Sequence, residues 1–387
     1  MAYKKYVAEK LFDGKGFCPP ETVLITTEDG EVEGLVPIID AGDDIIELKG
    51  ILTPGFVNAH CHLELSHLHR AVPKHTGLVT FIKNILSKRN ADIATIIAAM
   101  QAAENSMRKN GIVAVGDISN NALSAQLKME GNLHYHTFVE ISGFHPNIAT
   151  QRFEQGLEAY EQFIEAAKGQ PKMQQTIVPH APYSVSDDLL ALINDFSFEK
   201  IISMHNQETL AEDEFFKQKT GDFTALYSFL NVDIAHFSTL NASSLVNTVP
   251  KLGKVKKILL VHNTFTDEND IDFVKKQPFE TVFCLCPNAN LYIENTLPNV
   301  QQLFNNQVNI VVGTDSLASN EQLCILNELR TIRKNFPHIT TDILLQWATS
   351  NGAAALDIAG KVGQFKKGMQ PGVVLINEGL ELVKILA

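Results

Sequence analysis

The stretch Thr53–Leu68, TPGFVNAHCHLELSHL, decides the fold and the chemistry predicted for this chain. Thr53-Pro54-Gly55 interrupts the segment before it, and Phe56 to His62 is typical of a short buried strand. Because strand side chains alternate between faces, His60 and His62 point to the same side, and at a strand end they can share one metal ion. A single histidine is usually an ordinary core or surface residue. The pair therefore indicates a metal site only when further candidate ligands lie elsewhere along the chain.

The composition is that of a folded protein of enzyme size. The chain has 387 residues, of which 45% are hydrophobic and 20% charged, enough for one large domain or two ordinary ones. The net charge of -12 argues against broad binding to nucleic acid or to anionic membranes. Five scattered cysteines form no disulfide framework, and neither a leader nor an apolar run of membrane-spanning length is visible. We therefore expect a soluble, reduced, cytoplasmic protein.

Both ends of the chain are predicted to be β-structure. Residues 1–51 contain short alternating or β-branched runs separated by Asp-Gly and Gly-Asp turns, and residues 363–387 are glycine-rich with further β-like runs. Neither end has enough apolar residues to form a core alone. We therefore predict a small antiparallel sheet within residues 1–51, and we predict that the two ends of the chain pair into one small β-sandwich.

Residues 52–362 alternate between strand and helix patterns, which predicts a parallel sheet closed as a (β/α)8 barrel of the TIM type. An open doubly wound sheet is the alternative, but no glycine-rich phosphate loop follows an early strand. The long segment from Asn206 to Lys256 should carry an extra helix or two over the barrel mouth. The predicted strands are Phe56–His62, Ile112–Ile118, His134–Ile141, Gln175–His180, Ile201–His205, Ile258–His262, Thr281–Cys286 and Asn309–Asp315. Helices are predicted at Ala91–Lys109, Thr150–Ala167, Asp187–Asp195, Val300–Asn306 and Glu321–Asn335.

Ionisable side chains stand at the ends of most of these strands. In such barrels the reactive groups come from the C-terminal strand ends. Chance placement would not put so many histidines at the last residue of successive apolar strands. The residues are His60, His62, His180, His205, His262 and Asp315.

Three imidazoles and one carboxylate suit a divalent metal site with a position left for water. The predicted nitrogen ligands are His60, His62 and His205, and the predicted oxygen ligand is Asp315. Bound Zn²⁺, with Fe²⁺ as the alternative, would lower the pKa of its water toward neutrality. Asp315 is also suited to accept the proton of that water. A two-metal site typically has a lysine at the end of strand 4, where this chain has His180, so one ion is predicted.

The remaining candidates act on the substrate. Glu208, three residues beyond His205, can reach the substrate without binding the metal and is predicted to move protons. The alternative explanation for Glu208 is structural. An acidic side chain at the N-terminus of a helix interacts favourably with the helix dipole. His262 is predicted to hold the attacking hydroxide or the developing tetrahedral centre. Glu64 and Ser316 are predicted substrate contacts.

The whole pattern resembles the amidohydrolase superfamily, in its branch of aminohydrolases that act on nucleosides and heterocycles. The motifs that carry the resemblance are PGFVNAHCHLELS (54–66), VPHAPYSVS (178–186), HNQETLAE (205–212), CPNANLYI (286–293) and VVGTDSLASN (311–320). The resemblance spans nearly the whole chain, to NGAAALDIAG (351–360). It implies the same ligands as above, Glu208 as the proton shuttle, His262 as the group that polarises the nucleophile, and His180 as a substrate contact.

Within that branch, HCHLELS followed by GLVTFIKNIL (77–86) is similar to the aminodeoxyfutalosine deaminases of menaquinone biosynthesis. Those enzymes convert the adenine base of a nucleoside to hypoxanthine and release ammonia. Methylthioadenosine and S-adenosylhomocysteine deaminases are near neighbours. One departure is KKGMQPGVVLI (366–376), where many relatives have Gly-Lys-x-Ala-Asp. It weakens the assignment to a subfamily but does not touch the predicted metal site.

The resemblance implies a nucleoside substrate, and a homodimer is a further expectation. Two rival functions remain open. One keeps the fold and changes the reaction to hydrolysis of a cyclic amide or removal of chloride from a triazine. The other is a barrel that has lost catalysis and serves as a binding module, although such proteins usually lose ligands.

Overall fold

The predicted strands are present, with ends that differ by a few residues. The computed structural model describes residues 3–239 and 241–387. Its strands are β1 (Tyr3–Leu11), β2 (Thr22–Thr27), β3 (Val32–Pro37), β4 (Ile45–Pro54), β5 (Phe56–Cys61), β6 (Ile112–Ser119), β7 (His134–Ile141), β8 (Met173–Pro179), β9 (Ile201–Asn206), β10 (Lys257–His262), β11 (Glu280–Leu285), β12 (Asn309–Val312), β13 (Val373–Ile376) and β14 (Leu382–Ile385).

Helices fill the connections between the barrel strands, as the alternating pattern predicted. They are α1 (Leu78–Lys88), α2 (Ile93–Lys109), α3 (Ala125–Met129), α4 (Ala149–Ala166), α5 (Asp187–Phe196), α6 (Leu210–Gln218), α7 (Asp222–Phe229), α8 (Ser244–Thr248), α9 (Glu268–Val274), α10 (Pro287–Glu294), α11 (Val300–Asn305), α12 (Ile325–Asn335), α13 (Thr341–Gln346) and α14 (Gly352–Ala355). Helix α2 starts later than predicted because the Asp92 side chain caps it by accepting the Thr95 N–H. Among the described residues, no helix combines the length and apolar character needed to cross a membrane.

The two ends of the chain combine in one sheet, separate from the barrel. Its strand order is β14-β13-β4-β1-β2-β3, so the C-terminal strands join through β4. The prediction of an antiparallel arrangement is wrong for one pair, because β1 and β4 run parallel, with Tyr6 opposite Ile46. The physical reason is that β2 already occupies one edge of β1. The chain after β3 therefore crosses to the free edge of β1 rather than turning back beside β3.

The barrel is built from two parallel four-stranded halves, β5-β6-β7-β8 and β9-β10-β11-β12. One seam closes where Cys61 bridges Asp315, and the other where the His205 N–H donates to the His180 carbonyl at 2.9 Å. Both seams therefore lie at or beside predicted site residues. The prediction of a parallel α/β barrel is confirmed, and its strands pack against the helices in the main apolar core.

A second apolar cluster covers the end of the barrel at which the predicted site lies. It is built from α1, α6, α7, α10 and the loops that follow the strands, with Phe144, Tyr183, Phe215, Phe223 and Tyr227 among its buried aromatic side chains. The extra helices predicted between Asn206 and Lys256 are α6, α7 and α8. This cover leaves the predicted site residues enclosed.

Candidate active site

His60 and His62 lie at the C-terminal end of β5 and face the same side, as the alternation of a strand predicts. Their Nε2 atoms are 3.1 Å apart, and both side chains are buried. The backbone at this point is held from the last barrel strand, because the N–H groups of Thr314 and Asp315 both donate to the His60 carbonyl, at 3.0 and 3.1 Å. One carbonyl thus fixes ligands of two strands relative to each other.

The approach to Asp315 differs from the prediction of a strand through that residue. Strand β12 ends at Val312. Gly313 then passes so close to β5 that an added Cβ would lie 2.8 Å from the backbone of His60. Asp315 has a φ of +56°, in the left-handed region that interrupts a strand. The close approach and this turn end the strand early and bring the carboxylate to the histidines.

His205, at the end of β9, completes the histidine set. Its Nε2 lies 3.2 Å from His62 Nε2, and its Nδ1 donates to the His180 carbonyl at 2.8 Å. Because a carbonyl only accepts, Nδ1 carries the proton in the neutral ring, and the lone pair of Nε2 faces His62.

The Asp315 carboxylate approaches the three histidines from the other seam of the barrel, where Cys61 bridges Asp315. Its Oδ1 lies 3.7 Å from His60 Nε2 and 3.4 Å from His62 Nε2, while Oδ2 accepts a hydrogen bond from Ser319. One donor atom from each of the four residues lies within 4.8 Å of every other. The structure therefore brings together all four side chains predicted as ligands.

The charges of these residues fit a bound cation. Burial lowers the pKa of His60 and of His62, and burial together with His180 lowers that of His205 to about 4, so the imidazoles are neutral at pH 7. Burial alone would raise the pKa of Asp315, but the surrounding imidazoles hold it well below its ordinary value. Nitrogen lone pairs and an anionic oxygen that face one point repel each other unless a cation lies between them. Three imidazole nitrogens and one carboxylate oxygen are donors that could hold a divalent metal ion.

Glu208 and His262 lie beside this centre. Glu208 precedes the Thr209 N-cap of α6 and is 3% exposed, so it does not act as a solvated helix-start acid. Its Oε2 is 3.6 Å from His262 Nε2. Burial, with a further contribution from Asp315, raises the pKa of Glu208 well above its ordinary value, and burial lowers the pKa of His262 well below its own. Burial therefore favours the uncharged form of both side chains.

The three predicted substrate contacts differ in their surroundings. His180 Nδ1 pairs with Ser184 Oγ at 2.8 Å, and its ring centroid is 4.8 Å from that of His205. Glu64 accepts the Asn120 N–H at 3.0 Å, and burial raises its pKa to about 8. The Ser316 hydroxyl lies 3.0 Å from that of Ser319, which itself holds Asp315. Ser316 therefore belongs to the hydrogen-bond network that holds Asp315. Its role in substrate binding stays a prediction.

Sequence reasoning missed Glu140 and Asn120, which lie at the ends of the third and second barrel strands. Glu140 Oε2 lies 3.5 Å from His205 Nδ1, and Asn120 links the carboxyl groups of Glu140 and Glu64. The available signal was an acid near the end of an apolar strand, HTFVEI (136–141). A single acidic residue in a strand is a weaker indication of a site than a pair of histidines. Only the fold shows that Glu140 lies near His205 and Asn120.

A buried ion pair supports the loop that carries His62. Lys128 Nζ lies 2.6 Å from Asp117 Oδ2, and both side chains are fully buried. Lys128 also donates to Ser119 and Thr137, at 3.2 and 3.0 Å, while Asp117 Oδ1 accepts the Leu63 N–H at 2.9 Å. The pair therefore connects β6 and β7 to the residue that follows His62.

Replacing Lys128 by alanine is expected to lower the free energy of unfolding by about 3–5 kcal/mol, because Asp117 would keep its buried charge without a partner. The matched control is Lys254→Ala, which removes a solvent-exposed pair with Asp195 and should change stability by less than about 1 kcal/mol. Urea denaturation of both variants measures the difference. Equal effects would show that the buried pair carries no special energy.

The family follows from comparison with known proteins. The model of the amidohydrolase family matches residues 51–384, which is most of the chain. The chain belongs to the amidohydrolase family. The prediction of an amidohydrolase enzyme is confirmed, and the four candidate ligands of this amidohydrolase lie within the matched residues.

Relatives of this amidohydrolase include proteins named for deamination. It is 27% identical over 315 residues to an adenosine deaminase of Helicobacter pylori, covering 80% of this chain and 75% of that protein. It is 24% identical over 352 residues to the aminodeoxyfutalosine deaminase of a Nitratiruptor species, covering 87% of this chain and 82% of that protein. The resemblance predicted from the motifs is therefore confirmed.

The amidohydrolase also resembles a solved structure over nearly its whole length. The crystal structure of Helicobacter pylori aminofutalosine deaminase in complex with methylthio-coformycin superposes with a TM-score of 0.82, at 21% identity, covering 99% of this chain and 97% of that one. At this identity the likeness supports the fold, which includes the terminal sheet as well as the barrel.

Proposed function

We propose that this protein is a hydrolytic deaminase of an aminodeoxyfutalosine-like adenine nucleoside. The reaction converts the adenine base to hypoxanthine and releases ammonia. One observation carries the proposal: the buried carboxyl group of Glu208, 3.6 Å from His262, lies beside four converging candidate ligands. Removal of an amino group from a purine needs this combination of an acid and an activated water. The deaminase names among the relatives agree with it.

We assign one divalent ion, Zn²⁺ before Fe²⁺, to His60, His62, His205 and Asp315. Three imidazole nitrogens and one carboxylate are ligands typical of zinc, and the ion supplies an activated water at neutral pH when bound. His180 occupies the position at which a second, bridged ion would need a lysine. A single ion is therefore proposed.

The proton route follows from the positions of three side chains. Carbon C6 of adenine is a poor electrophile until the neighbouring N1 is protonated, and burial raises the pKa of Glu208, which suits this carboxyl group to give N1 its proton. His262, whose Nε2 is 3.6 Å from Glu208 Oε2, is assigned to hold the oxygen that adds to C6. Asp315 is ionised and accepts a proton from the attacking water. Protons delivered through Glu208 and Asp315 then let the amino group leave as ammonia, so that nucleoside and water give the hypoxanthine nucleoside and ammonia.

The proposed partner is a small nucleoside. The net charge of -12 disfavours nucleic acid and anionic membranes as partners. Methylthioadenosine and S-adenosylhomocysteine carry the same reacting ring and are the alternative substrates. The homodimer and the cytoplasmic location stay predictions.

A screen for ammonia release tests the proposal. Adenosine, 5′-deoxyadenosine, methylthioadenosine, S-adenosylhomocysteine and aminodeoxyfutalosine are each incubated with protein whose metal content is measured on the same sample. We expect about one ion per chain and release from at least one adenine nucleoside. Release of chloride from a triazine, with no ammonia from any nucleoside, would favour the rival hydrolase. Two bound ions per chain would contradict the single-ion site.

A further inference from the structure

The backbone at the end of strand β10 adopts an unusual conformation. His262, the last residue of the strand, has a φ of +75°, and Asn263 has a φ of +56°, so two successive residues other than glycine lie in the left-handed region. The turn is held from β9, because the Asn263 N–H donates to the Asn206 carbonyl at 3.0 Å and the Asn206 side chain donates to that of Asn263 at 3.1 Å. Strained backbone persists where its surroundings fix it, and it is common at functional sites. The turn brings the His262 ring to within 5.5 Å of the His205 ring, measured between centroids.

The Nδ1 atom of the His262 ring is bound by a residue outside the proton route. Asn290, on α10, is fully buried, and its Nδ2 lies 3.3 Å from His262 Nδ1 and 2.6 Å from Thr264 Oγ1. Asn290 belongs to the motif CPNANLYI (286–293). Its amide therefore connects α10 to two residues of the turn that ends β10.

Packing alone does not explain an asparagine at position 290. Its Oδ1 is buried without a hydrogen-bond partner among the described residues. A buried acceptor without a partner destabilises a protein, and such groups call for an explanation by function. A leucine has a similar volume and would fill the same space without that loss. The NH2 group, which makes both contacts, is therefore the part of Asn290 that has a function.

The hydrogen bond from Asn290 determines which nitrogen of His262 carries the proton. An amide NH2 group only donates, so His262 Nδ1 accepts, and a neutral imidazole then has its hydrogen on Nε2. His262 Nε2 is the atom that lies 3.6 Å from Glu208 Oε2, so it faces the groups assigned to the reaction. An N–H at this position is a donor for an oxygen on which negative charge develops.

We propose that Asn290 is a positioning residue, which holds His262 in the tautomer protonated on Nε2 so that the ring donates a hydrogen bond to the oxygen that adds to C6. This inference rests on the proposed deamination and assigns the direction of one hydrogen bond in it. Asn290 acts through His262 and not on the substrate. An amide rotated by half a turn would present Oδ1 to the ring and require the proton on Nδ1. The two arrangements therefore predict opposite tautomers.

The first test locates the proton and needs no substrate. Long-range ¹H–¹⁵N NMR spectra are recorded on Zn²⁺-loaded protein labelled with ¹⁵N-histidine, and the His262 signals are identified by their loss in His262→Gln. In the parent protein we expect the pattern of a neutral ring protonated on Nε2. Asn290→Asp should lose that pattern, because a carboxylate only accepts and favours a proton on Nδ1. A parent ring protonated on Nδ1 alone would overturn the inference, whether or not the variant folds.

The second test measures kcat and KM with the preferred nucleoside of the ammonia screen. Asn290→Asp should lose about 10²–10³-fold in kcat, the range found when one donor to a developing oxyanion is removed, with KM little changed. Asn290→Leu fills the same space and should also lose kcat, but less, because the free ring can adopt either tautomer. Unchanged kcat in either variant would mean that Asn290 serves packing only, and it would overturn the inference.

The matched control is Asn247→Asp, the same change at another buried asparagine. Asn247 lies on α8 and donates to the Ala242 and Ser243 carbonyls at 3.0 and 2.8 Å. The control should lose stability but keep kcat and the His262 spectrum. An equal fall of kcat in the control would assign the loss to destabilisation and overturn the inference. No ammonia from any adenine nucleoside with the parent protein would overturn the proposed function, while the spectrum would still decide the tautomer of His262.

Discussion

Glu208→Gln is expected to retain the fold and the metal and to lose turnover by about 10²–10⁴-fold, the range typical of general acid–base catalysis. The amide is nearly isosteric, and Glu208 is not among the four candidate ligands. An amide cannot deliver the proton that N1 requires. The loss should therefore appear in kcat, with metal content unchanged.

A second readout on the same variant separates proton transfer from simple binding. An analogue whose ring already bears a tetrahedral hydroxyl presents an N–H at the position of the Glu208 carboxylate, so its affinity should also fall. Glu214→Gln is the matched control, because Glu214 is an exposed acid on α6 and should leave both quantities unchanged. Activity that persists in Glu208→Gln with metal intact would limit the proton route to Asp315 and His262.

His62→Ala is expected to lose the metal and the activity together. The Nε2 of His62 is 3.1 Å from that of His60, 3.2 Å from that of His205, and 3.4 Å from Asp315 Oδ1, so it lies next to every other candidate ligand. Its removal should weaken metal binding by more than the ~10–100-fold lost when only an outer partner of a ligand is removed. The thermal stabilisation given by added Zn²⁺ should decline in parallel.

Metal analysis after dialysis, and melting curves with and without Zn²⁺, measure both effects for this variant. His69→Ala serves as the control, since the exposed side chain of His69 bonds to the Glu321 carbonyl and does not contact the candidate ligands. It should keep both metal and activity. A His62→Ala protein that retained one tightly bound ion would show that His62 is not a ligand.

The barrel and the four converging residues were predictable because their signals are local. Alternation within FVNAHCH places His60 and His62 on one face, and the apolar runs that end at His205 and near Asp315 mark further strand ends. The topology of a parallel barrel then brings those ends together. The bounds of β12 were not predictable, because β12 ends where Gly313 approaches His60, a contact between distant segments.

The supports of the site were harder to predict because they depend on several strands at once. Lys128 and Asp117 are ordinary charged residues in sequence, and only the packing of α3 against β6 and β7 buries them as a pair. Glu140 is one acid in an apolar strand, and its unpaired oxygen becomes visible only beside His205. The parallel pair β1–β4 likewise follows from a chain crossing that no turn motif encodes.

In the proposed reaction these residues exchange the amino group at C6 of an adenine nucleoside for oxygen from water. The most direct measurement is turnover of the preferred nucleoside from the screen in ¹⁸O-labelled water, with the purine product analysed by mass spectrometry and ammonia measured in parallel. Deamination by activated water predicts a hypoxanthine nucleoside that carries ¹⁸O at C6 and one ammonia for each molecule formed. Release of free adenine, or recovery of every adenine nucleoside unchanged by metal-loaded protein, would contradict it.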